Sequence, residues 1–183
     1  MEHLSKLIRD VPNFPKEGIL FKDITPLFST PEAMERTHFA LVEELVKGFG
    51  RGDKPPCNVV VGIESRGFLF GPLLAIQTES SFALARKPGK LPYDKISISY
   101  DLEYGSTSIE MHTDSIKPGD KVIIHDDLLA TGGTALAAAE LVKQLGGEVI
   151  GFSFIVELEF LKGAQKIKEQ LGDDVKVISV LKY

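Results

Sequence analysis

The sequence predicts an α/β protein with a mainly parallel central sheet flanked by helices, and two observations carry that prediction. Largely apolar segments of strand length recur at 59–63, 82–85, 122–125, 149–156 and 175–181, unbroken in the first two, the pattern of strands buried on both faces. Helical patterns alternate with them, opening near Thr30, Phe68, Thr134 and Phe160. In a sheet of this kind the ligand crevice lies outside the carboxyl ends of the strands.

The elements follow in order. Leu4, Leu7, Ile8 and Val11 mark a short amphipathic helix that Pro12 ends. Residues 14–26 place Pro15, Gly18 and Pro26 around a few apolar side chains, which reads as an irregular packed segment, a hairpin or loop under the core. Thr30-Pro31-Glu32 is an N-cap, a first-turn proline and a first-turn acid, opening a helix with Met34, Thr37, Leu41 and Leu45 on one face. Gly48 to Gly52 is a helix exit and linker, and Cys57 sits in a loop with no catalytic role. The strand Val59–Ile63 leads into Glu64-Ser65-Arg66-Gly67 and a helix from about 68 to 78.

The strand at 82–85 delivers Arg86-Lys87-Pro88-Gly89-Lys90, three cations in five residues. Residues 96–100 and 107–111 alternate apolar with polar and form a hairpin, a flap over about 94–113 able to keep water from a site beneath it. After a turn at 117–120 comes Val122-Ile123-Ile124, with His125 as a core or strand-end histidine. A strand at 149–156, a helix at 160–171 and a strand at 175–181 complete the chain, with no repeat.

Composition sets bounds. The 183 residues suit one domain over 1–183, large enough to bury about 70% of its unfolded surface. Hydrophobic residues at 43% and charged residues at 26% are ordinary globular values. No apolar run approaches the ~20 residues of a membrane span, and the N-terminus is charged where a signal peptide is apolar. One cysteine excludes an internal disulfide and fits a reducing cytoplasm. The net charge of −5 argues against general nucleic-acid binding, so an anionic ligand needs a local basic cluster.

The most informative stretch is Val122 to Thr134. An apolar strand empties into Asp126-Asp127, then into Ala130-Thr131-Gly132-Gly133-Thr134, then into a helix. A helix N-terminus offers unpaired N–H groups and a positive dipole end to an anion, and the glycines let the backbone come close. No Walker-type lysine is present, which points to a phosphate monoester over a nucleoside triphosphate. Two adjacent carboxylates at a strand end repel each other unless a polyol, a cation or a positive partner meets them. Phosphate on the helix with hydroxyls or a metal on the acids describes a sugar phosphate.

Asp126 to Thr134 resembles the phosphoribosyl-pyrophosphate (PRPP) signature of the type I phosphoribosyltransferases, in the form carried by the adenine-specific enzymes. Ala130 stands where hypoxanthine-guanine enzymes carry Asp. The resemblance covers nearly the whole chain and implies the phosphoribosyltransferase type I fold with a hood over about 12–27. It places the 5′-phosphate on Ala130, Thr131, Gly132, Gly133 and Thr134, and the ribose on Asp126 and Asp127. Ser65 and Arg66, in a loop expected to hold a cis peptide at Glu64–Ser65, take the pyrophosphate with Arg86, Lys87 and Lys90. Adenine falls to Leu20, Phe21, Lys22 and Leu128, with Lys22 in place of the usual arginine. At the flap tip Glu103 approaches the purine N7 as the catalytic group, beside Tyr104. Mg²⁺ enters on the substrate's diphosphate with no dedicated protein ligand, and the assembly is a homodimer.

The reaction these expectations describe is adenine + PRPP → AMP + diphosphate. A transferase for another base and a non-catalytic PRPP-sensing regulator are the alternatives; such regulators usually add a DNA-binding domain, for which this acidic chain has no room.

Overall fold

Residues 2–50, 56–102 and 105–183 are described in this computed structural model of the chain. Helix α1 (Glu2–Ser5) is a single turn, and β1 (Arg9–Pro12) follows it, paired antiparallel with β2 (Leu20–Asp23). The helix expected over Leu4 to Val11 is thus cut short. Leu4 and Ile8 are buried, but Val11 is opposite Phe21 in a two-stranded ladder. Cross-strand pairing therefore overrides the local helical period. Of the hairpin or loop expected over 14–26, the structure shows the hairpin, with β2 as its second strand. Phe14-Pro15 in the connecting turn is cis.

Helix α2 (Pro31–Phe49) begins as its cap predicts, with Thr30 Oγ1 accepting the Ala33 N–H at 3.1 Å. Its buried face is Ala33, Thr37, Leu41 and Leu45; Met34 lies one step off that stripe and is exposed. Next come β3 (Val59–Ile63), buried at all five positions, α3 (Gly67–Gln77) and β4 (Ser81–Ala85). The flap is β5 (Lys95–Leu102) against β6 (Gly105–His112), in register from Lys95↔His112 to Leu102↔Gly105. Then β7 (Lys121–Leu129), α4 (Gly133–Gln144), β8 (Glu148–Glu157), α5 (Gly163–Leu171) and β9 (Lys176–Lys182) follow. The last helix starts later than its pattern suggests. Glu159–Leu161 is a 3₁₀ turn, Lys162 has φ +55°, and Phe160 is left largely exposed.

The main sheet runs β4-β3-β7-β8-β9, with every pairing parallel. One of its two apolar cores joins Val59, Val61, Val122 and Ile124 to α4, Ile167 of α5, and Ile109 and Met111 at the flap root. The other joins Val60 and Ile123 to Leu41 and Leu45 of α2 and Phe70 and Leu74 of α3. Each such buried aliphatic or aromatic side chain contributes about 1.5–3 kcal/mol relative to exposure. From the centre, chain order runs outward one way through β3 and β4, and the other way through β7, β8 and β9. The reversal leaves a crevice between the carboxyl ends of β3 and β7, where open α/β sheets place ligands.

Candidate active site at the strand switch

The two acids lie inside β7, not at its end. Asp126 is opposite Phe154 and Leu128 opposite Val156, so the ladder with β8 carries the strand on to Leu129. The two carboxylates then serve different sides. Asp126 lines a cavity of about 270 Å³ with Glu64, Arg86, Tyr100 and Thr134. Asp127, only 2% exposed, ion-pairs through Oδ2 with Arg66 Nε at 2.8 Å. Asp127 N–H also donates to Asp126 Oδ1 at 2.9 Å. Burial, then the neighbouring Asp127 charge, pushes Asp126 well above the usual carboxylate range. Burial raises Asp127 as well, against the pull of the Arg66 guanidinium.

The turn after β7 is shaped for an anion. Gly132 is the N-cap of α4 in the left-handed region at φ +80°, and no side chain caps this helix, in contrast to Thr30 on α2. The α4 N-terminus therefore keeps its donors for a ligand. Behind the turn, Gly163 at the start of α5 packs so closely that a Cβ there would collide with the Ala130 carbonyl oxygen. In front, Tyr100 Oη of β5 donates to Thr134 Oγ1 at 3.1 Å.

Across the crevice stands the β3–α3 loop. The Glu64–Ser65 bond is cis, at the position expected. A Cβ on Gly67 would lie 2.6 Å from the His125 carbonyl oxygen, so a glycine is needed for the loop to rest on β7. That contact places Ser65 and Arg66 next to Asp126 and Asp127.

Of the cations, Arg86 is turned toward protein. Its Nε and Nη2 donate to Glu64 Oε2 and Oε1 at 3.0 and 3.3 Å, and Nη1 donates to the Lys90 carbonyl at 3.1 Å. Lys87 N–H also donates to Glu64 Oε2 at 3.0 Å. Burial acts to raise the Glu64 carboxyl, but Arg86 and that N–H outweigh it and hold it below its usual value. Lys87 and Lys90 are exposed, and neither forms an ion pair among the described residues. Glu110, which the sequence reading passes over, organises this loop. Its Oε2 accepts Gly89 N–H and pairs with Lys95 Nζ, both at 3.0 Å, and its backbone exchanges two hydrogen bonds with Arg86. A carboxylate in an alternating strand just after a cation-rich loop is the signal that marks it.

The hood closes the near side. Phe21 meets Phe14 edge-on at 5.0 Å, and the Arg66 guanidinium lies 5.2 Å from the Phe21 ring centre. Phe21, Arg66 and Asp127 thus form one contiguous stack. Leu128 is half-buried against the core on that side, while Leu20 is exposed. Lys22 Nζ sits 2.6 Å from Asp10 Oδ1 and over the Tyr183 ring at 4.0 Å, so its charge is engaged within the hood. Glu103 and Tyr104 lie outside the described residues. His125 is fully buried, its Nδ1 3.3 Å from Ser153 Oγ, and burial lowers it to about 4, so the ring is neutral.

Comparison with known proteins agrees with this arrangement. The model of the phosphoribosyl transferase domain matches residues 34–182. An adenine phosphoribosyltransferase of Flavobacterium johnsoniae is 55% identical over 91% of this chain and 94% of its own. The crystal structure of the Thermoanaerobacter pseudethanolicus adenine phosphoribosyltransferase superposes with a TM-score of 0.89 at 43% identity, covering 100% of this chain and 99% of that one. The Saccharomyces cerevisiae enzyme, solved with an imino-altritol bisphosphate and adenine, gives a TM-score of 0.87 at 40% identity over 98% and 97% of the two chains. With five parallel strands, a flap hairpin and a crevice between β3 and β7, the chain belongs to the phosphoribosyl transferase family, among its adenine phosphoribosyltransferases.

Proposed function

We propose that this chain is a pentosyltransferase of purine salvage that moves the 5-phosphoribosyl group of PRPP to adenine, releasing diphosphate, with the work divided among the residues around the β3–β7 crevice. The observation that carries this division is the opposition of an uncapped α4 N-terminus and the Asp126–Asp127 pair to the Ser65-Arg66-Gly67 loop across one strand switch.

Bond breaking leaves positive charge on the ribose ring and negative charge on the diphosphate. Ala130 to Thr134 hold the 5′-phosphate, whose binding energy orients C1. Asp126 and Asp127 take the ribose hydroxyls and face the developing positive charge. Arg66, Lys87 and Lys90 stabilise the leaving diphosphate with Ser65, and Arg86 reaches it by exchanging one of its protein partners. Adenine stacks between Phe21 and Leu128 near Leu20 and Lys22, and Glu103 shares a proton with N7, with Tyr104 beside it on the flap.

Mg²⁺ suits this site. The ion would enter on the substrate's diphosphate with no dedicated protein ligand, and Asp126 lines the cavity that the diphosphate would enter, where Glu64 is already held by Arg86 and the Lys87 N–H. Carboxylate oxygens beside substrate phosphates are the donors Mg²⁺ takes, and bound there it would neutralise diphosphate charge. The exposed Leu69, Leu73 and Ile76, on one face of α3, supply an apolar surface for a homodimer. The one cysteine, Cys57, is free and buried, which suits a reducing cytoplasm as the compartment; no helix among the described residues is long and apolar enough to cross a membrane.

The test is product formation from PRPP and Mg²⁺ with adenine, hypoxanthine, guanine and uracil offered separately. AMP from adenine alone is expected. Reaction with a different base would make the chain another transferase; PRPP binding without turnover of any base would make it a PRPP sensor.

A further inference from the structure

Among the described residues, a polar contact joins the flap to the phosphate turn, and its direction matters. Tyr100 lies on β5, partly buried against the flap-side core, and its Oη is 3.1 Å from Thr134 Oγ1. Both residues line the cavity that also holds Asp126. A threonine hydroxyl has one proton and two acceptor lone pairs. If Thr134 gives its proton to a 5′-phosphate oxygen, a lone pair is left to accept from a neighbour. The phenol meets it, because Tyr100 keeps its proton throughout the neutral range: burial raises it, with the nearby Asp126 charge adding to the effect against the Thr134 contact.

We propose that Tyr100 is a positioning residue for the 5′-phosphate: by donating to Thr134 Oγ1 it fixes the threonine proton toward the phosphate, and in doing so it clasps the flap to the loaded cradle. The phenol touches no substrate atom in this arrangement and acts through Thr134. The proton count is constant, with Tyr100 donating to Thr134 and Thr134 donating to phosphate. The proposal rests on the reading of Ala130 to Thr134 as the 5′-phosphate cradle.

The test is a double-variant cycle on Tyr100→Phe, which keeps the ring, and Thr134→Val, which keeps the shape. The affinity for ribose 5-phosphate is measured by calorimetry, and KM for PRPP and kcat are measured in turnover. Tyr100→Phe is expected to weaken ribose 5-phosphate and raise the PRPP KM by about tenfold, with the loss falling on KM and not on kcat. The double variant should bind no more weakly than Thr134→Val alone, since the phenol acts only through that hydroxyl. Thr134→Ser, which restores a hydroxyl, should regain sensitivity to Tyr100→Phe. Wild-type affinity in Tyr100→Phe, or losses that multiply in the double variant, would overturn the proposal. Calorimetry needs no turnover, so a wrong choice of base leaves it readable; failure of the wild type to bind ribose 5-phosphate removes the cradle and the proposal together.

Discussion

Arg66 and Asp127 hold each other across the strand switch: Nε is 2.8 Å from Oδ2, with the guanidinium 41% exposed and the carboxylate buried. Without ligand, the arginine expected on the diphosphate thus rests on an acid expected to hold ribose and against the Phe21 ring. Removing Arg66 strands a buried charge, whereas removing the acid frees an arginine that can turn to water. Arg66→Ala should therefore cost about 1–2 kcal/mol at pH 7.5, discounted for the exposed guanidinium, and Asp127→Asn less. The sign with pH follows from Asp127, which already holds its proton above the usual range. Loss of Arg66 raises it further, so the Arg66→Ala deficit should shrink between pH 7.5 and pH 5. Urea unfolding at both values checks this, and an equal deficit at each would refute it.

His125 makes a second pH prediction. Its folded value of about 4 lies below the unfolded 6.5. Above 6.5 the ring is neutral in both states; as pH falls toward 4 the unfolded chain takes a proton that the buried ring refuses, and stability is lost. The gap corresponds to about 3 kcal/mol. His125→Val lacks this acid loss, so its stability relative to wild type should rise by about that amount from pH 7.5 to pH 4. Parallel stability curves for the two proteins would show that the ring charges in place.

Gly163 packs behind the phosphate turn, against the Ala130 carbonyl oxygen and Leu129. Overpacking at such a contact typically costs about 1–3 kcal/mol, and here the strain falls on the phosphate turn. Gly163→Ala should raise the PRPP KM several-fold while leaving the adenine KM near wild type. Steady-state kinetics with each substrate varied in turn decides it; a rise confined to adenine would contradict the placement.

Glu110 separates acceptor from charge. Glu110→Gln keeps an oxygen for the Gly89 N–H but loses the Lys95 ion pair; Glu110→Ala loses both. Since the Gly89 contact shapes the loop bearing Lys87 and Lys90, the alanine variant should raise the PRPP KM at least tenfold and the glutamine variant by less than threefold. Similar losses in both would assign the effect to Lys95.

The sequence by itself determined the sheet strands and the strand-to-helix turns. Runs such as Val59–Ile63 and Val122–Ile124 are apolar at every position because both faces are buried, and Thr30 with Pro31 or Gly132 with Gly133 set helix starts through local backbone chemistry. These are short-range effects, carried by residues a few positions apart. Tertiary structure decided what depends on distant neighbours. Val11 joined a strand because Phe21 stood opposite it, and the ladder with β8 carried β7 through both acids to Leu129. Likewise Arg86 turned to Glu64, Lys22 to Asp10 and Tyr183, and Tyr100 to Thr134. In each case the partner is set by which segments meet in space, and a long polar side chain takes whichever partner the fold brings within reach.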